Sequence, residues 1–306
     1  MSRSVASEDD FSAVSVIIPA YNDPSGVSTT LDSLLAQSTT LDFQILVVDN
    51  ASTDRTPDVV RSYDDDRVTL LHEHDIQSSY AARNTGIRHA DADLLAFVDA
   101  DMTVSDSWLE EALDTLHATD ADYLACDVEL TLPDVPSLAA RYDRHTGFPV
   151  EQYLERQRFA PTCCLFVRRT VFEDVGLFDP RLVSGGDKEF GNRVHDAGYE
   201  TAFADAATMY HPTRNSLRSL ITKDVRVGRG LAQLQRFYPD RYGRPGIPPR
   251  PSGIKRPDRD LPTTDRLAFG ALSRFLTGVR ASGYARELAS PTHTGADPDL
   301  DGPPRL

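Results

Sequence analysis

An apolar run that ends at two aspartates constrains the fold of this chain more than any other feature. Residues 94–98 read Leu-Leu-Ala-Phe-Val, and Asp99 and Asp101 flank the next alanine. The run is typical of a buried parallel strand, and in open α/β sheets ligands bind outside the carboxyl ends of the strands. Carboxylates two residues apart on an extended chain point to the same side, where they could share a magnesium or manganese ion. The alternative interpretation is an acidic turn after a strand.

Apolar segments and helical stretches alternate ahead of this run. They predict strands at 14–19, 45–49 and 67–71 and helices at 27–36, 56–63 and 79–89. This alternation indicates right-handed βαβ units, and therefore an α/β fold with a mostly parallel, Rossmann-like sheet and helices on both faces. No glycine-rich phosphate loop follows the first strand or occurs elsewhere, so phosphates would be held by a metal ion and by side chains.

Polar residues follow three of the four predicted strands, at 21–23, 49–52 and 99–101. A carboxylate after one strand is usually a capping residue. Because the carboxyl ends of parallel strands meet at one edge of a sheet, three such segments together predict a ligand site there.

Five motifs in order make the chain resemble the family 2 glycosyltransferases with the GT-A fold. The motifs lie at 16–22, 47–56, 82–87, 97–101 and, in two parts, at 175–179 and 185–190. The resemblance covers about residues 14–229. It implies an inverting, metal-dependent hexosyltransferase that moves a sugar from a nucleotide-diphosphate sugar to a glycan or lipid-linked acceptor during surface-glycan or protein-glycan assembly.

The resemblance also implies roles on the donor side. Asp101 would bind the divalent cation (Mg²⁺ or Mn²⁺), Asp99 would contact the ribose or the metal, and His211 would complete the metal shell or contact the diphosphate. Asp49 would accept a hydrogen bond from the base. The implied nucleotide-binding residues further include Pro19, Ala20, Tyr21, Asn22, Ser52 and Arg83. A structural ion pair is the alternative for Arg83, and a helix cap is the alternative for the weaker candidate Asp54.

On the acceptor side the resemblance points to Asp187 as the general base. Glu189 nearby would help to raise the pKa of Asp187, and Gly185 and Gly186 would let the backbone approach a sugar. The family more often has glutamate where Gly186 stands. The alternative is that Asp187 only caps a helix over 188–197.

A basic stretch follows in an otherwise acidic chain. Lys223, Arg226 and Arg229 recur at a spacing of three, roughly on one helical face. This face could hold the diphosphate or anionic lipid headgroups.

Composition limits the remaining function classes. A net charge of −15 over 306 residues argues against nucleic acid as a partner. The acidity comes mostly from aspartate, while lysine occurs three times, which suits a high-salt cytosol and predicts a halophilic archaeal source. The three cysteines have no metal-ligand spacing. We therefore expect a cytoplasmic protein, with peripheral contact at the cytoplasmic membrane face left open.

The chain divides into five predicted parts. Residues 1–13 are expected to form a flexible tail, 14–238 the GT-A domain, 239–264 a proline-rich linker, 265–289 an amphipathic helix and 290–306 a disordered tail. No apolar run is long enough to span a membrane. We expect the amphipathic helix to pack on the domain rather than on a membrane.

Three other functions fit parts of the sequence. A polyprenyl-phosphate glycosyl synthase would use an acceptor phosphate that needs no base. The segment 97–104 also matches the nucleophile motif of haloacid-dehalogenase-type phosphatases, although that motif normally lies on the first strand. A non-catalytic nucleotide-sugar-binding scaffold would explain the glycine at position 186.

Overall fold

A computed structural model describes residues 11–247, 263–297 and 302–306. The strands of this part are β1 (Ala13–Ala20), β2 (Asp42–Asp49), β3 (Val68–His72), β4 (Leu94–Val98), β5 (Thr103–Val104), β6 (Tyr123–Thr131), β7 (Cys164–Arg168) and β8 (Thr201–Pro212). Its helices are α1 (Pro24–Leu35), α2 (Thr56–Arg61), α3 (Ser79–His89), α4 (Trp108–Thr119), α5 (Leu138–Thr146), α6 (Val150–Gln157), α7 (Arg169–Val175), α8 (Gly186–Asp196), α9 (Leu217–Phe237), α10 (Pro239–Tyr242) and α11 (Thr263–Ala289).

The eight strands form one sheet in the order β3-β2-β1-β4-β7-β6-β8-β5. The first half is parallel, since β1 pairs with β2 and β4, and β2 pairs with β3. Every residue of β4 is buried, as its uninterrupted apolar sequence predicts. In this register Ala20 lies opposite Asp49, so the ends of β1 and β2 meet at one edge of the sheet.

The second half of the sheet is mixed. β7 runs antiparallel to both β4 and β6, whereas β6 and β8 are parallel with a register shift between Cys126 and Asp127. The short β5 pairs antiparallel with β8 at the edge. Four of the seven pairings among the described strands are therefore parallel, and the predicted α/β class with a mostly parallel sheet is confirmed.

The C-terminal helix α11 packs along α9. A Cβ atom at Gly228 would overlap the backbone of Arg280, and one at Gly283 would overlap the backbone of Val225, so glycine is what permits this close crossing. On the predicted amphipathic helix Leu276 is buried, but Phe275 is 50% exposed. The apolar face of α11 is thus only partly covered.

The described part of the C-terminal region differs from the sequence-based expectation. The proposed linker begins with the helix α10, and residues 1–10, 248–262 and 298–301 lie outside the described residues. In the segment expected to be a disordered tail, Thr294 O accepts a hydrogen bond from Gln77 N at 2.8 Å and Pro304 O accepts one from Leu177 N at 2.8 Å. These backbone bonds hold the described parts of the segment against the domain. None of the helices in the described ranges is long and apolar enough to cross a membrane.

Candidate active site

Two loops at the edge of the sheet are tied together by Ser52. Its Oγ accepts a hydrogen bond from Asn22 N at 2.9 Å, and Asn22 Oδ1 in turn accepts one from Thr53 N at 2.8 Å. Asn22 has a φ of 51°, which places its backbone in the left-handed region. Ser52 therefore braces the loops that follow β1 and β2. The weaker candidate Asp54 accepts hydrogen bonds from Thr56 N and Thr56 Oγ1 at the start of α2, which is the capping alternative.

Asp49, the last residue of β2, has a carboxylate oxygen that is buried without a donor from the described part of the chain. The residue is 1% exposed. Its Oδ2 accepts a hydrogen bond from Ser52 N at 3.3 Å and lies 3.6 Å from His72 Nδ1. Among the described residues no donor reaches Asp49 Oδ1. A buried carboxylate oxygen without a donor is costly, so Asp49 is suited to accept a hydrogen bond from a ligand N–H.

A cavity of about 350 Å³ lies at this edge of the sheet. Its lining includes the predicted residues Pro19, Ala20, Tyr21 and Arg226, and also Asn50, Gln77, Ser78, Ser79, Leu182 and Val183. Gln77 was missed by the sequence analysis. Its Nε2 donates to Asn50 O at 2.8 Å and to Asn50 Oδ1 at 3.1 Å, which fixes the residue that follows Asp49. No sequence signal marks Gln77, because it lies in an irregular loop.

Arg83 holds Asp99 at the end of β4. Arg83 Nη2 lies 2.5 Å from Asp99 Oδ1, and the Arg83 side chain is only 5% exposed. Its Nε is buried without a hydrogen-bond partner in the described residues. The structural ion pair considered for Arg83 is therefore present, and it occurs at the predicted ligand-binding edge.

Asp101, in the turn after β4, lies close to His211 of β8. His211 Nε2 lies 3.9 Å from Asp101 Oδ1. Burial raises the pKa of the Asp101 carboxyl, and the nearby Asp99 and Asp23 raise it further, while His211 acts in the opposite direction. His211 Nδ1 donates to Pro212 O at 2.7 Å, which leaves Nε2 unprotonated in the neutral ring and able to bind a metal ion.

A carboxylate oxygen and an imidazole nitrogen are both groups that can bind a metal ion. The described residues form no group of three or more side chains placed to ligate a metal, and Asp99 is engaged by Arg83. Magnesium-type sites commonly use one or two carboxylates together with substrate phosphates and water. Asp101 and His211 therefore fit a cation whose remaining ligands come from a diphosphate.

Asp187 lies in the first turn of α8. The residue that caps this helix is Gly185, with a φ of 86°, so the N-cap alternative for Asp187 is wrong. Asp187 Oδ1 accepts a hydrogen bond from Lys188 N at 2.8 Å. Burial raises the pKa of the Asp187 carboxyl, whereas Lys188 N and the charges of Arg83 and Arg226 oppose that rise.

Glu189 does not face the acceptor side, and this expectation is corrected. It is 1% exposed, and its Oε1 lies 2.8 Å from Arg193 Nε. Arg193 also donates to Leu177 O at 2.7 Å. Two helical residues span about 200° around the axis, so Glu189 points into the domain while Asp187 points the other way.

Tyr80 fills the space beside Gly186. Its hydroxyl accepts a hydrogen bond from Gly186 N at 2.9 Å, and a Cβ atom at Gly186 would lie 2.7 Å from the ring. The tyrosine ring therefore accounts for the absence of a glutamate at this position. Tyr80 precedes Arg83 by three residues on α3, a spacing that places both on one helix face and could have identified it.

The two candidate arginines on α9 lie in different surroundings. Arg226 lines the cavity, whereas Arg229 Nε pairs with Glu287 Oε2 of α11 at 3.1 Å. A spacing of three residues falls about 60° short of a full turn. Side chains at this spacing therefore point in successively different directions around the helix and do not form one basic face. Arg229 thus packs between α9 and α11 and does not line the cavity, so the structure gives no support to the diphosphate role expected for it.

Comparisons with known proteins identify the family of this chain. Residues 15–176 match the model of glycosyl transferase family 2. Glycosyltransferase AglE of Haloferax volcanii is 38% identical over 224 residues, which cover 72% of this chain and 73% of AglE. The chain belongs to glycosyl transferase family 2, and it is a glycosyltransferase. This membership removes the phosphatase alternative.

Solved structures confirm the GT-A fold. One is mannosyltransferase PcManGT from Pyrobaculum calidifontis in complex with GDP-Man and Mn²⁺, which superposes with a TM-score of 0.56 at 20% sequence identity. The superposition covers 92% of this chain and 76% of the PcManGT chain. TarS from S. aureus, in complex with UDP-GlcNAc, gives a TM-score of 0.53 at 18% identity, with coverages of 91% and 73%.

Proposed function

We propose that this glycosyltransferase is an inverting, metal-dependent enzyme. It transfers a sugar from a nucleotide-diphosphate sugar to a hydroxyl group of a glycan or lipid-linked acceptor in the assembly of a surface glycan or protein-linked glycan. The structural relatives bound to GDP-Man or UDP-GlcNAc support this donor class. The donor base occupies the cavity that Asn50 lines, and we assign a ring N–H of the base to the unpaired Oδ1 of the preceding residue, Asp49.

The observation that carries the proposal is the position of α3 between two carboxylates. Arg83 of this helix reaches Asp99 at the donor edge, and the hydroxyl of Tyr80 reaches Gly186 N, next to Asp187. One rigid helix therefore fixes the distance between the nucleotide side and Asp187. A transferase needs its base and its leaving group held in a set geometry, because positioning supplies much of the rate acceleration.

Each residue then has a defined task. Asp187 takes the proton of the acceptor hydroxyl, whose oxygen attacks the anomeric carbon as the bond to the diphosphate breaks. A cation bound by Asp101 and His211 would neutralise the diphosphate that leaves. Arg226 lines the donor cavity and adds a second positive charge there. The family membership, together with a single carboxylate assigned as the base, supports inversion at the anomeric carbon.

The proposal is tested by a panel of nucleotide sugars. Binding and slow hydrolysis of each sugar are measured with Mn²⁺, with Mg²⁺ and with a chelator, in a buffer of high potassium chloride because of the acidic composition. We expect one nucleotide sugar to bind tightly only with the metal present. Equal binding of all sugars with and without metal would contradict the proposal and favour the scaffold.

We place the enzyme in the cytoplasm of a halophilic archaeon, with peripheral contact at the inner face of the membrane left open. The aspartate-rich composition and the 38% sequence identity to a Haloferax volcanii protein support a halophilic source. A polyprenyl-phosphate glycosyl synthase remains the second candidate. It would use an acceptor that is ionised without help from Asp187.

A further inference from the structure

A basic pocket opens beside the donor cavity on the first half of α9. It has a volume of about 390 Å³ and is lined by Arg214, Ser216, Arg218, Ser219, Thr222, Lys223 and Arg226. None of the carboxylates in the described ranges belongs to this lining. Four cations around one concavity are unexpected on a chain with a net charge of −15, so the pocket is suited to an anion of more than one charge.

A buried carboxylate behind the pocket positions two of these cations. Asp143 of α5 is 2% exposed, and its Oδ2 accepts a hydrogen bond from Arg214 N at 2.9 Å. Asp143 Oδ1 lies 3.4 Å from Lys223 Nζ. One carboxylate cannot balance both cations, and Arg218 and Arg226 form no ion pair within the described part of the chain. Burial and the charge of Arg214 lower the pKa of the Lys223 ammonium, while the carboxylates of Asp143 and Asp224 oppose this shift.

The basic pocket is continuous with the candidate active site through Arg226. This side chain lines both the basic pocket and the donor cavity. Its charge also acts on the Asp187 carboxyl. A group held in the basic pocket would therefore lie next to Arg226 and adjoin the donor cavity.

Exposed apolar side chains border the pocket. Leu217, next to the pocket residue Ser216, is 48% exposed, while Val135 and Leu138 are 84% and 42% exposed. Ser137 N donates to Asn215 Oδ1 at 2.9 Å, which brings the segment with Val135 and Leu138 to the start of α9. Apolar side chains beside a basic pocket are typical of a surface that meets a lipid and its anionic headgroup.

We propose that the basic pocket binds the phosphate or diphosphate of a lipid-borne acceptor, with the first part of the hydrocarbon over Val135, Leu138 and Leu217. The phosphate is a recognition group, and a hydroxyl of the same acceptor is the nucleophile. This inference rests on the proposed transferase function and narrows its acceptor to a lipid-linked class.

The test uses farnesyl phosphate, farnesol and inorganic phosphate as probes with the full-length protein at one fixed salt concentration. Arg218→Gln removes an exposed cation that lines the pocket, and Arg236→Gln removes an exposed cation near the other end of the same helix. We expect farnesyl phosphate to bind to the wild type and to lose about tenfold in affinity in Arg218→Gln, as expected for one lost charge-assisted hydrogen bond. Arg236→Gln should bind like the wild type.

Each other outcome overturns a part of the proposal. Equal affinity for farnesol and farnesyl phosphate would exclude a phosphate site, and so would equal affinity of Arg218→Gln and the wild type. Inorganic phosphate binding as tightly as farnesyl phosphate would exclude the lipid source. Nucleotide-sugar binding, measured in parallel on the same samples, reports separately on the proposed function, because Arg218 does not line the donor cavity.

Discussion

The hydroxyl of Tyr80 accepts a hydrogen bond from Gly186 N at 2.9 Å, and its ring occupies the space that any side chain at position 186 would need. The contact joins the start of α3 to the start of α8. The residue that follows Gly186 is the candidate base, so the tyrosine fixes where that base begins its helix.

Gly186→Ala is expected to destabilise the protein. The added Cβ would lie 2.7–2.9 Å from the ring atoms of Tyr80, and overpacking of a buried site costs about 1–3 kcal/mol. The free energy of unfolding, from urea titration at constant salt, should fall by that amount. Gly278→Ala is the control, since Gly278 lies within α11 with open space around its Cβ position. It should stabilise the protein by about 0.5–1 kcal/mol. Similar changes in both variants would contradict the steric account.

Asp101→Asn should remove the effect of Mn²⁺ or Mg²⁺ on binding of the nucleoside diphosphate. The substitution takes away a ligand charge, and folding should not suffer because burial already raises the pKa of this carboxyl and so disfavours its charged form. Calorimetric titration with and without metal measures the effect. Asp106→Asn changes an exposed aspartate nearby as a control. An unchanged metal dependence in Asp101→Asn would place the cation elsewhere.

Asp49→Ala should weaken nucleotide binding while the metal requirement stays. Its unpaired Oδ1 is assigned to a ring N–H, and hydrogen bonds to charged groups contribute about 1.5–3 kcal/mol, or roughly 10- to 100-fold in affinity. Asp42→Ala alters the exposed first residue of the same strand and should leave binding unchanged. Unaltered affinity of Asp49→Ala for both uridine and guanosine diphosphates would remove Asp49 from the base pocket.

Gly295→Ala should weaken nucleotide binding although residue 295 does not line the cavity. Its Cβ would lie 2.7 Å from Asp75 O, which would push away the neighbouring Thr294 O that accepts from Gln77 N. Gln77 in turn lines the cavity. Loss of one neutral hydrogen bond predicts about a two- to tenfold weaker affinity.

Gly302→Ala is the matched control for that variant. Gly295 and Gly302 have φ angles of 93° and 88°, but a Cβ at Gly302 meets nothing within 4 Å. Both substitutions therefore strain the backbone similarly, but only Gly295→Ala disturbs the loop that carries Gln77 at the cavity. Equal nucleotide affinity in the two variants would refute the link between the C-terminal segment and the donor site.

The donor half of the fold could be predicted because its strands are uninterrupted apolar runs. Strand β4 and the ends of β1 and β2 follow directly from that pattern, and with them the positions of Asp49, Asp99 and Asp101. The antiparallel half could not be predicted in the same way. β8 alternates irregularly between buried and exposed residues, and the pairing of β4 with β7 joins segments about seventy residues apart.

Side chains placed by helix packing were harder to assign. Nothing local shows that Arg229 meets Glu287 rather than a ligand, because the partner comes from a helix near the end of the chain. The pairing of Glu189 with Arg193 could have been recognised, since a spacing of four residues with the acidic residue first is a common helical ion pair. That pattern would have removed Glu189 from the acceptor side.

The pH dependence of turnover follows from the raised pKa of Asp187. A base acts only when deprotonated, so turnover should fall as the pH falls through a pKa above the ordinary 3.8. The stability of the fold should depend on pH in the opposite direction. The folded state holds this proton more tightly than the unfolded state, so the free energy of unfolding contributed by this group falls as the pH rises from 3.8 through the raised pKa. Asp187→Asn should flatten that part of the stability profile.

The most direct test of the catalytic assignment is turnover of Asp187→Asn with the acceptor, measured beside its donor affinity. Asparagine keeps the shape of the side chain but cannot take the proton, and loss of a general base costs about 10²–10⁴ in rate. Donor affinity should stay near that of the wild type, because the donor is assigned to Asp49, Asp101 and His211. Near-normal turnover with intact donor affinity would contradict the account and favour a phosphate acceptor that needs no base.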